Sequence, residues 1–426
     1  MKIAIAGYGL EGKSNYQYWS SNLENKITIV DEKPLGNDLP QSVFKITGEN
    51  AFEQLQDFDL VVRTAGLAPR KIKTNGKIWS STNEFFAKCP AKIIGVTGSK
   101  GKGTTTSLIA SILEKAGKKV WLVGNIGVPA LDVLCDVKSD DFVVYELSSF
   151  QLWDLEKSPN IAVILFIEQE HLDVHVDMAD YIGAKSNIVK HQIADDLLVF
   201  NNSNEFAKSI ADLSVAIKIG YPDKKSAHVS KGLFYYNEQK ICPVDSLGIV
   251  GKFNHDNACA AIDAIWDITS DVSVIEQGLT SFKGLPHRLE LVREIDGVKY
   301  YDDSIATIPG AAIAALRAFD EPKVIILGGS AKGSDFTDLG RELAVQDVRA
   351  ILIGSEAQAI AGACERAGFL DFEIMNNFNM NNLVKKAQAL SKPGGVVLLS
   401  PACASFGLFK NYVDRGDQFS ESLRLL

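Results

Sequence analysis

The chain has no apolar run long enough to cross a bilayer as a helix. The longest, Ile161 to Ile167, has seven residues, where a membrane span needs roughly 18 or more. It has no Cys-x-x-Cys pair either. The six cysteines, at 89, 135, 242, 259, 364 and 403, follow no regular spacing. That argues against a zinc site or a disulfide framework and for reduced thiols. No block of Lys and Arg advertises a nucleic-acid surface, and 44 basic residues against 53 acidic ones give a formal net charge of −9. Nucleic acid is therefore not an expected partner. The opening stretch MKIAIAGYGLEGKS lacks a basic leader and a cleavage site, so it reads as a strand and not as a signal peptide. No fixed-period repeat and no low-complexity tract is visible. The expectation is a soluble, cytoplasmic protein with no membrane partner.

What is present is a chain of 426 residues, 46% apolar and 23% charged, enough for two or three domains with cores of their own. Short Val- and Ile-rich runs recur, each leading into a glycine or polar turn and a helical pattern. They are KIAIAG (2–7), KITIVD (26–31), DLVVRTAG (59–66), KIIGVTG (92–98), KKVWLVGN (118–125), DFVVYELSS (141–149), NIAVILFI (160–167), DLLVFNN (196–202), KVIILGG (323–329), RAILIG (349–354) and GGVVLLSPA (394–402). Continuous apolar strands alternating with helices predict an α/β fold with parallel sheets covered on both faces. One domain cut falls near Pro90 and another near GLPHR (284–288), after a helical stretch from Asn257 to Gln277. Asp296-Gly297 between two β-rich runs predicts a hairpin. Residues 218–250 read as strands decorating the middle domain.

The most informative stretch runs from Gly95 to Thr106, GVTGSKGKGTTT. It comes after a strand and opens a helix whose apolar stripe is Leu108, Ile109, Ile112 and Leu113. Small residues let backbone N–H groups turn toward a phosphate chain, the helix N-terminus adds partial positive charge, and Lys102 adds a full one. The position after the lysine, commonly a metal-binding hydroxyl, is Gly103; Thr104, Thr105 or water could serve instead. Glu146 ends the strand of DFVVYELSS, where α/β sheets place ligands, and a carboxylate there is the expected Mg²⁺ partner. His171 comes after another strand among Glu170, Asp173 and His175, which favours a functional role over a structural one. Lys185 reads, from the residues alone, as a surface lysine on a helix. Gly7-x-Gly9-x-x-Gly12 after the first strand, with Asp31 ending the second, is a dinucleotide or nucleoside-diphosphate fingerprint. One nucleotide-linked substrate plus one ATP accounts for both sites more economically than a dehydrogenase fused to a kinase.

Together these stretches resemble the Mur ligases, and within that family the members that add D-glutamate. The resemblance spans nearly the whole chain: TGSKGKGTTT (97–106), GNIG (124–127), ELSSFQL (146–152), EHLD (170–173), AK (184–185), NHDNACAA (254–261), GLPHRLE (284–290), DDSIAT (302–307), GGSAKGSDF (328–336) and SPACASF (400–406). It implies a Rossmann-like UDP-substrate domain (1–91), a central P-loop ATPase domain (92–284) and a Rossmann-like amino-acid domain (285–426). The implied reaction joins glutamate to UDP-N-acetylmuramoyl-L-alanine through an acyl phosphate, using ATP and Mg²⁺. A monomer is the expectation, since no long coiled-coil heptad or evident interface helix is visible in the sequence.

By the same resemblance Lys102, Lys185, His171 and Arg288 are catalytic. ATP would contact Gly98, Ser99, Lys100, Gly101, Lys102, Gly103 and Thr104, with Asn254, Asn257, Arg288 and Asp302 or Asp303. Glu146, His171, Thr104 and Lys185, the last as a carbamate, would hold metal. Leu10, Glu11, Asp31, Thr64, Gly66, Asn125 and His171 would contact the UDP substrate. Thr307, Lys332, Ser405 and Tyr412 would bind glutamate. Against the family pattern stand Gly103, Glu170, Ile305, Ile308-Pro309 and Gly407. The alternative within the family adds L-glutamate to the same substrate. A folylpolyglutamate synthetase would not need the GYGLEG domain, a catalytically silent nucleotide sensor is suggested by Gly103 alone, and a dehydrogenase leaves the phosphate loop unexplained.

Overall fold

The computed structural model describes every residue except 37, 38, 41 and 332. The N-terminal segment alternates β1 (Lys2–Ala6), α1 (Leu10–Ser20), β2 (Lys26–Asp31), β3 (Phe44–Thr47), β4 (Leu60–Arg63), β5 (Lys77–Ser80) and α2 (Ser81–Lys88). Its five strands form a parallel sheet in the order β3-β2-β1-β4-β5. Ile3 to Ala6 are wholly buried, as a central strand covered on both faces requires.

The next segment comprises β6 (Lys92–Thr97), α3 (Lys102–Lys115), β7 (Val120–Gly124), α4 (Ala130–Val133), β8 (Phe142–Glu146), α5 (Ser149–Leu152), β9 (Ile161–Ile164), α6 (Met178–Lys190), β10 (Leu197–Asn201), α7 (Glu205–Ala211) and β11 (Ile217–Tyr221). Its six strands are parallel in the order β11-β10-β9-β6-β8-β7. The section predicted as decoration divides in two. Residues 217–221 are the edge strand of this sheet, and β12 (Ala227–Ser230), β13 (Leu233–Tyr236) and β14 (Gln239–Pro243) form a separate antiparallel sheet. The expected long helix after Asn257 is two, α8 (Phe253–Ile265) and α9 (Val272–Ser281), interrupted where Asp271 caps the second through the backbone N–H groups of Ser273 and Val274. Against α9, Gly278 lets α3 approach closely: a Cβ there would fall 2.5 Å from the Ile112 Cα.

The C-terminal segment holds β15 (Glu290–Ile295), β16 (Val298–Asp302), α10 (Pro309–Leu316), β17 (Lys323–Gly329), α11 (Thr337–Val345), β18 (Val348–Gly354), α12 (Ala357–Arg366), β19 (Phe372–Met375), α13 (Met380–Leu390), β20 (Val396–Leu399) and α14 (Tyr412–Arg424). The sheet order is β15-β16-β20-β17-β18-β19, with β15 antiparallel to β16 and the others parallel. The predicted hairpin is present: Asp296 and Gly297 have φ of 50° and 75°, the left-handed pair that a two-residue turn of this twist demands. Every run read from the sequence as a strand is one. No disulfide forms among the six cysteines, and no described helix is long and apolar enough to cross a membrane.

Contacts divide the chain into two compact units. One takes in Met1–Ser246 and His255–Phe282, the other Leu247–Asn254 and Lys283–Leu426. Within the first unit the N-terminal and central sheets are joined through a buried charge. Arg63, at the end of β4, is fully buried. Its Nε donates to Asp154 Oδ2 at 2.8 Å, its Nη2 to Asp154 Oδ1, and further bonds reach the carbonyls of Leu67 (3.3 Å) and Phe150 (3.0 Å). The guanidinium groups of Arg63 and Arg70 both lie over the Trp153 ring, at 5.9 and 5.7 Å from its centre. Removing Asp154 would leave the guanidinium buried without its anion, a change that costs about 3–5 kcal/mol in buried pairs. Asp154→Ala should therefore shift the first urea-unfolding transition to clearly lower denaturant. A midpoint equal to wild type would show that the pair does not join the two sheets.

Candidate active site

Three adjacent strands, β9, β6 and β8, end at one edge of the central sheet, so the loops leaving their carboxyl ends are brought together. After β6 comes the phosphate loop. Gly101 caps α3 with φ +85°, and Asn257 Oδ1 lies 2.2 Å from where a Cβ at 101 would project. Both the backbone and the neighbour require glycine there. Ser99 is buried, its Oγ bonded to the Glu168 carbonyl (2.9 Å) and N–H (3.0 Å) and 2.9 Å from Tyr181 Oη. Lys100 pairs with Glu168.

Lys102 folds back over its own loop: Nζ donates to the carbonyls of Gly98 (3.0 Å) and Ser99 (2.8 Å). Lys185 is no surface lysine. It is 1% exposed, and its Nζ donates to the same Gly98 carbonyl at 2.8 Å and to Thr97 Oγ1 at 3.4 Å, 4.7 Å from the Tyr181 ring centre. Burial, reinforced by the charge of Lys102, holds the Lys185 amine well below the usual lysine range. The sequence hid this because only the α6 packing shows which face of that helix turns inward.

Glu146 ends β8 and is 4% exposed. Asn125 is tied to it twice, donating from its backbone N–H to the Glu146 carbonyl (3.3 Å) and from Nδ2 to Oε1 (3.4 Å). Gly103 and Thr104 are buried in the first turn of α3. The neighbouring Thr105 Oγ1 is buried without a hydrogen-bond partner among the described residues.

The two histidines after β9 have different fates. His171 has φ +58° and a side chain 42% exposed, its ring 4.9 Å from that of Phe150. His175 is enclosed between Asp180 Oδ2 on Nδ1 and Ser149 Oγ on Nε2, both at 2.9 Å, and stacks on Phe150. Burial lowers its pKa, which suits a neutral imidazole joining α5 to α6. Position in the sequence could not separate them; the neighbours of each ring do.

At the carboxyl edge of the first sheet, a Cβ on Gly12 would fall 2.2 Å from the Gly7 carbonyl, whereas the space over Gly9 is open. That is the division of labour expected where a helix must sit close and a ligand must approach. Asp31 accepts from the N–H groups of Tyr8 (2.8 Å) and Lys33 (2.9 Å). Glu11 accepts from the Ala65 N–H at 2.7 Å and from Ser81 Oγ, and Thr64 Oγ1 donates to the Ala6 carbonyl at 3.2 Å. Leu10 and Gly66 are exposed beside them. These predicted contacts do share one edge.

The second compact unit carries the remaining predicted residues: Asn254, Arg288, Asp302, Asp303, Thr307, Ser405 and Tyr412. Lys332 lies outside the described residues. Asn254 is buried, with Nδ2 donating to the Val250 carbonyl at 2.6 Å. Asp302, fully buried at the end of β16, is 2.7 Å from His287 Nδ1 and accepts from the Ser304 N–H at 2.9 Å. Glu290 completes a group of three whose ligand atoms lie within 4.8 Å, but it accepts the His287 N–H at 2.9 Å, so this cluster is already satisfied internally. Asp303 accepts from Ser400 Oγ (2.6 Å) and the Leu289 N–H (3.2 Å), joining the DDSIAT and SPACASF stretches. Arg288 is exposed and Thr307 half-buried; Ser405 is 3% and Tyr412 37% exposed. His287 and Arg415, a fully buried arginine on α14, had no signal of their own in the sequence.

Comparison with known proteins accounts for this combination. The Mur ligase middle-domain model matches residues 96–265, and the Mur ligase glutamate ligase domain model matches 287–403. The UDP-N-acetylmuramoylalanine–D-glutamate ligase of Clostridium tetani is 36% identical over 448 aligned residues, covering 100% of this chain and 97% of that protein. This chain belongs to the Mur ligase family. The enzyme of the same name from Acetivibrio thermocellus is 38% identical, covering 99% of this Mur ligase and 95% of its relative. The crystal structure of UDP-N-acetylmuramate-alanine ligase from Thermotoga maritima superposes with a TM-score of 0.62 at 18% identity, covering 100% and 99% of the two chains. This Mur ligase has the three-domain α/β fold of its family.

Burial raises the Asp303 carboxyl to about 7, against roughly 3.9 in an unfolded chain. Between those values the folded state holds a proton that the unfolded state has released. The stabilisation is thus complete below about pH 4 and is lost as pH rises through about 7. Asp303→Asn, which cannot ionise and keeps one acceptor oxygen while its amide N–H₂ faces the other contact, should flatten the decline in Tm across this window. An unchanged slope would mean that Asp303 ionises normally.

Proposed function

We propose that this Mur ligase adds D-glutamate to UDP-N-acetylmuramoyl-L-alanine, with conversion of ATP to ADP and phosphate, in cytoplasmic synthesis of a peptidoglycan precursor. The observation that carries the chemistry is the meeting of Lys102 and Lys185 on one loop carbonyl beside the buried Glu146. The full-length likeness to D-glutamate ligases supports the substrates. The N-terminal, central and C-terminal large sheets support domains at 1–91, 92–284 and 285–426, and the enzyme is read as a monomer.

In this reading the loop N–H groups from Gly98 to Thr104, with Lys100, surround the ATP phosphates. Asn257, against Gly101, and Asn254 serve the adenosine side. On binding, Lys102 exchanges its two loop carbonyls for the β- and γ-phosphate oxygens. The UDP substrate lies on the Gly9 opening with Leu10, Glu11, Asp31, Thr64 and Gly66, while Asn125 and His171 hold its peptidyl end. Its carboxylate attacks the γ-phosphorus and ADP leaves, giving an acyl phosphate. The amine of glutamate, held by Thr307, Lys332, Ser405 and Tyr412, attacks the acyl carbon, and inorganic phosphate departs. Arg288 and Asp302 serve the γ-phosphate end.

A buried carboxylate on the strand next to the phosphate loop suits Mg²⁺, which is held largely by phosphate and water with one or two carboxylates. Glu146, Thr104, His171 and Lys185 would hold it, and it would neutralise phosphate charge. The depressed pKa of Lys185 favours the neutral, nucleophilic amine, the form that adds to carbon dioxide with loss of a proton; the resulting carbamate is an anion and would fit beside Lys102 as a metal ligand.

The direct test is phosphate release from ATP and UDP-N-acetylmuramoyl-L-alanine with D-glutamate, L-glutamate or neither. Stimulation by D-glutamate alone is expected; stimulation by L-glutamate alone would move the specificity to the other enantiomer, and none with either would refute the ligase reading. Lys102→Ala should lower turnover by at least about 10²–10³-fold, as loss of a fixed electrostatic donor does, while UDP-substrate affinity stays near wild type. Lys185→Ala should be inactive and partly restored by short carboxylates. A folded variant that acetate and formate leave inactive would count against the carbamate.

A further inference from the structure

The elements that carry the glutamate contacts are separate in the chain. Thr307 comes after the turn at 302–306, Ser405 lies in the loop after β20, and Tyr412 opens α14. Something must hold them in register, and one side chain touches all three stretches or their immediate supports. Arg415, in the first turn of α14, is 0% exposed. Its Nε donates to Ser304 Oγ at 2.9 Å, its Nη2 to the Ser304 carbonyl at 2.7 Å and its Nη1 to the Cys403 carbonyl at 3.2 Å. Ser304 Oγ donates in turn to the Tyr412 carbonyl at 2.7 Å. A guanidinium presents donors in a rigid planar fork, so these bonds fix the Ser304 turn and the Cys403 loop at a set spacing.

The next residue adds an independent constraint. At Gly416 a Cβ would fall 2.2 Å from His287 Nδ1 and 2.4 Å from Asp302 Oδ2. The helix therefore presses its bare backbone on the buried His287–Asp302 pair while Arg415 reaches past it to the two loops. The nearby Asp302 carboxylate is already bonded to His287 and Ser304. The bonds of Arg415 go to neutral oxygens, the pattern of a scaffold and not of an ion pair.

We propose that Arg415 is the positioning residue of the amino-acid pocket, setting the spacing between the Thr307 turn, the Ser405 loop and Tyr412, with Gly416 allowing α14 to seat against His287 and Asp302. The inference rests on the glutamate site proposed above. It separates two halves of the reaction. Formation of the acyl phosphate does not use the amino-acid pocket, whereas capture by glutamate does.

Hydroxylamine distinguishes them: its nitrogen attacks the acyl carbon, the bond to the phosphate oxygen breaks, phosphate leaves and a hydroxamate remains, without use of the pocket. In Arg415→Lys, which keeps the charge but cannot span three acceptors, KM for D-glutamate should rise at least tenfold. Hydroxamate formation at saturating ATP and UDP substrate should stay within about twofold of wild type. Ser304→Ala, which removes one acceptor and the bond to Tyr412 with little loss of volume, should shift KM in the same direction and covers the case in which Arg415→Lys does not fold. An unchanged KM for glutamate in either folded variant would overturn the proposal. So would equal loss of hydroxamate and amide formation, the signature of a merely structural residue. Wild-type enzyme that forms hydroxamate but does not use D-glutamate would instead overturn the substrate reading.

Discussion

Two lysine amines share one carbonyl oxygen. Lys102 and Lys185 both donate to Gly98 O, which would bring two like charges close together at the loop if both were protonated. Such a pair is unfavourable unless one group loses its proton or an anion arrives. Burial has already pushed Lys185 toward the neutral amine, and in the proposed reaction an arriving phosphate would take the place of the loop carbonyls that Lys102 holds. The glycine at 101, the seating of Asn257 and the close packing of α3 on α9 all serve to keep that oxygen in place.

Strand order turns this local arrangement into a site. Because β6 lies between β9 and β8, the phosphate loop, Glu146 and the loop that carries His171 leave one edge of the sheet side by side. The buried contacts Asp180–His175–Ser149 and Arg63–Asp154 fix α5, α6 and the first sheet. In the second unit the same logic uses a single helix. Arg415 and Gly416 brace the turns that carry the proposed amino-acid contacts, and α14 lies against the His287–Asp302 pair too closely to admit even a methyl group at 416.

The alternation of apolar runs and glycine turns was sufficient to read the α/β class and the principal strands, since parallel strands buried on both faces leave an unmistakable composition. The phosphate loop was legible for a related reason: a buried strand, a cluster of glycines with a lysine, and a helix follow one another directly in the sequence. Short edge strands such as Phe44–Thr47 and Phe372–Met375 were not, because their half-exposed residues alternate too briefly to stand out. Lys185 and Arg415 were illegible on principle. A buried cation looks like a surface cation until the packing is known, and the burial is what gives each its proposed role. His171 and His175 illustrate the converse, two identical side chains four residues apart that only their neighbours distinguish.

The central claim, that burial prepares Lys185 to take an anionic, carbamylated form beside Lys102, is most directly tested by carbon-13 NMR of the intact enzyme equilibrated with ¹³C-bicarbonate. The account predicts a carbamate carbonyl resonance in the wild type that is absent from folded Lys185→Arg. Spectra of the two proteins without any such difference would contradict it.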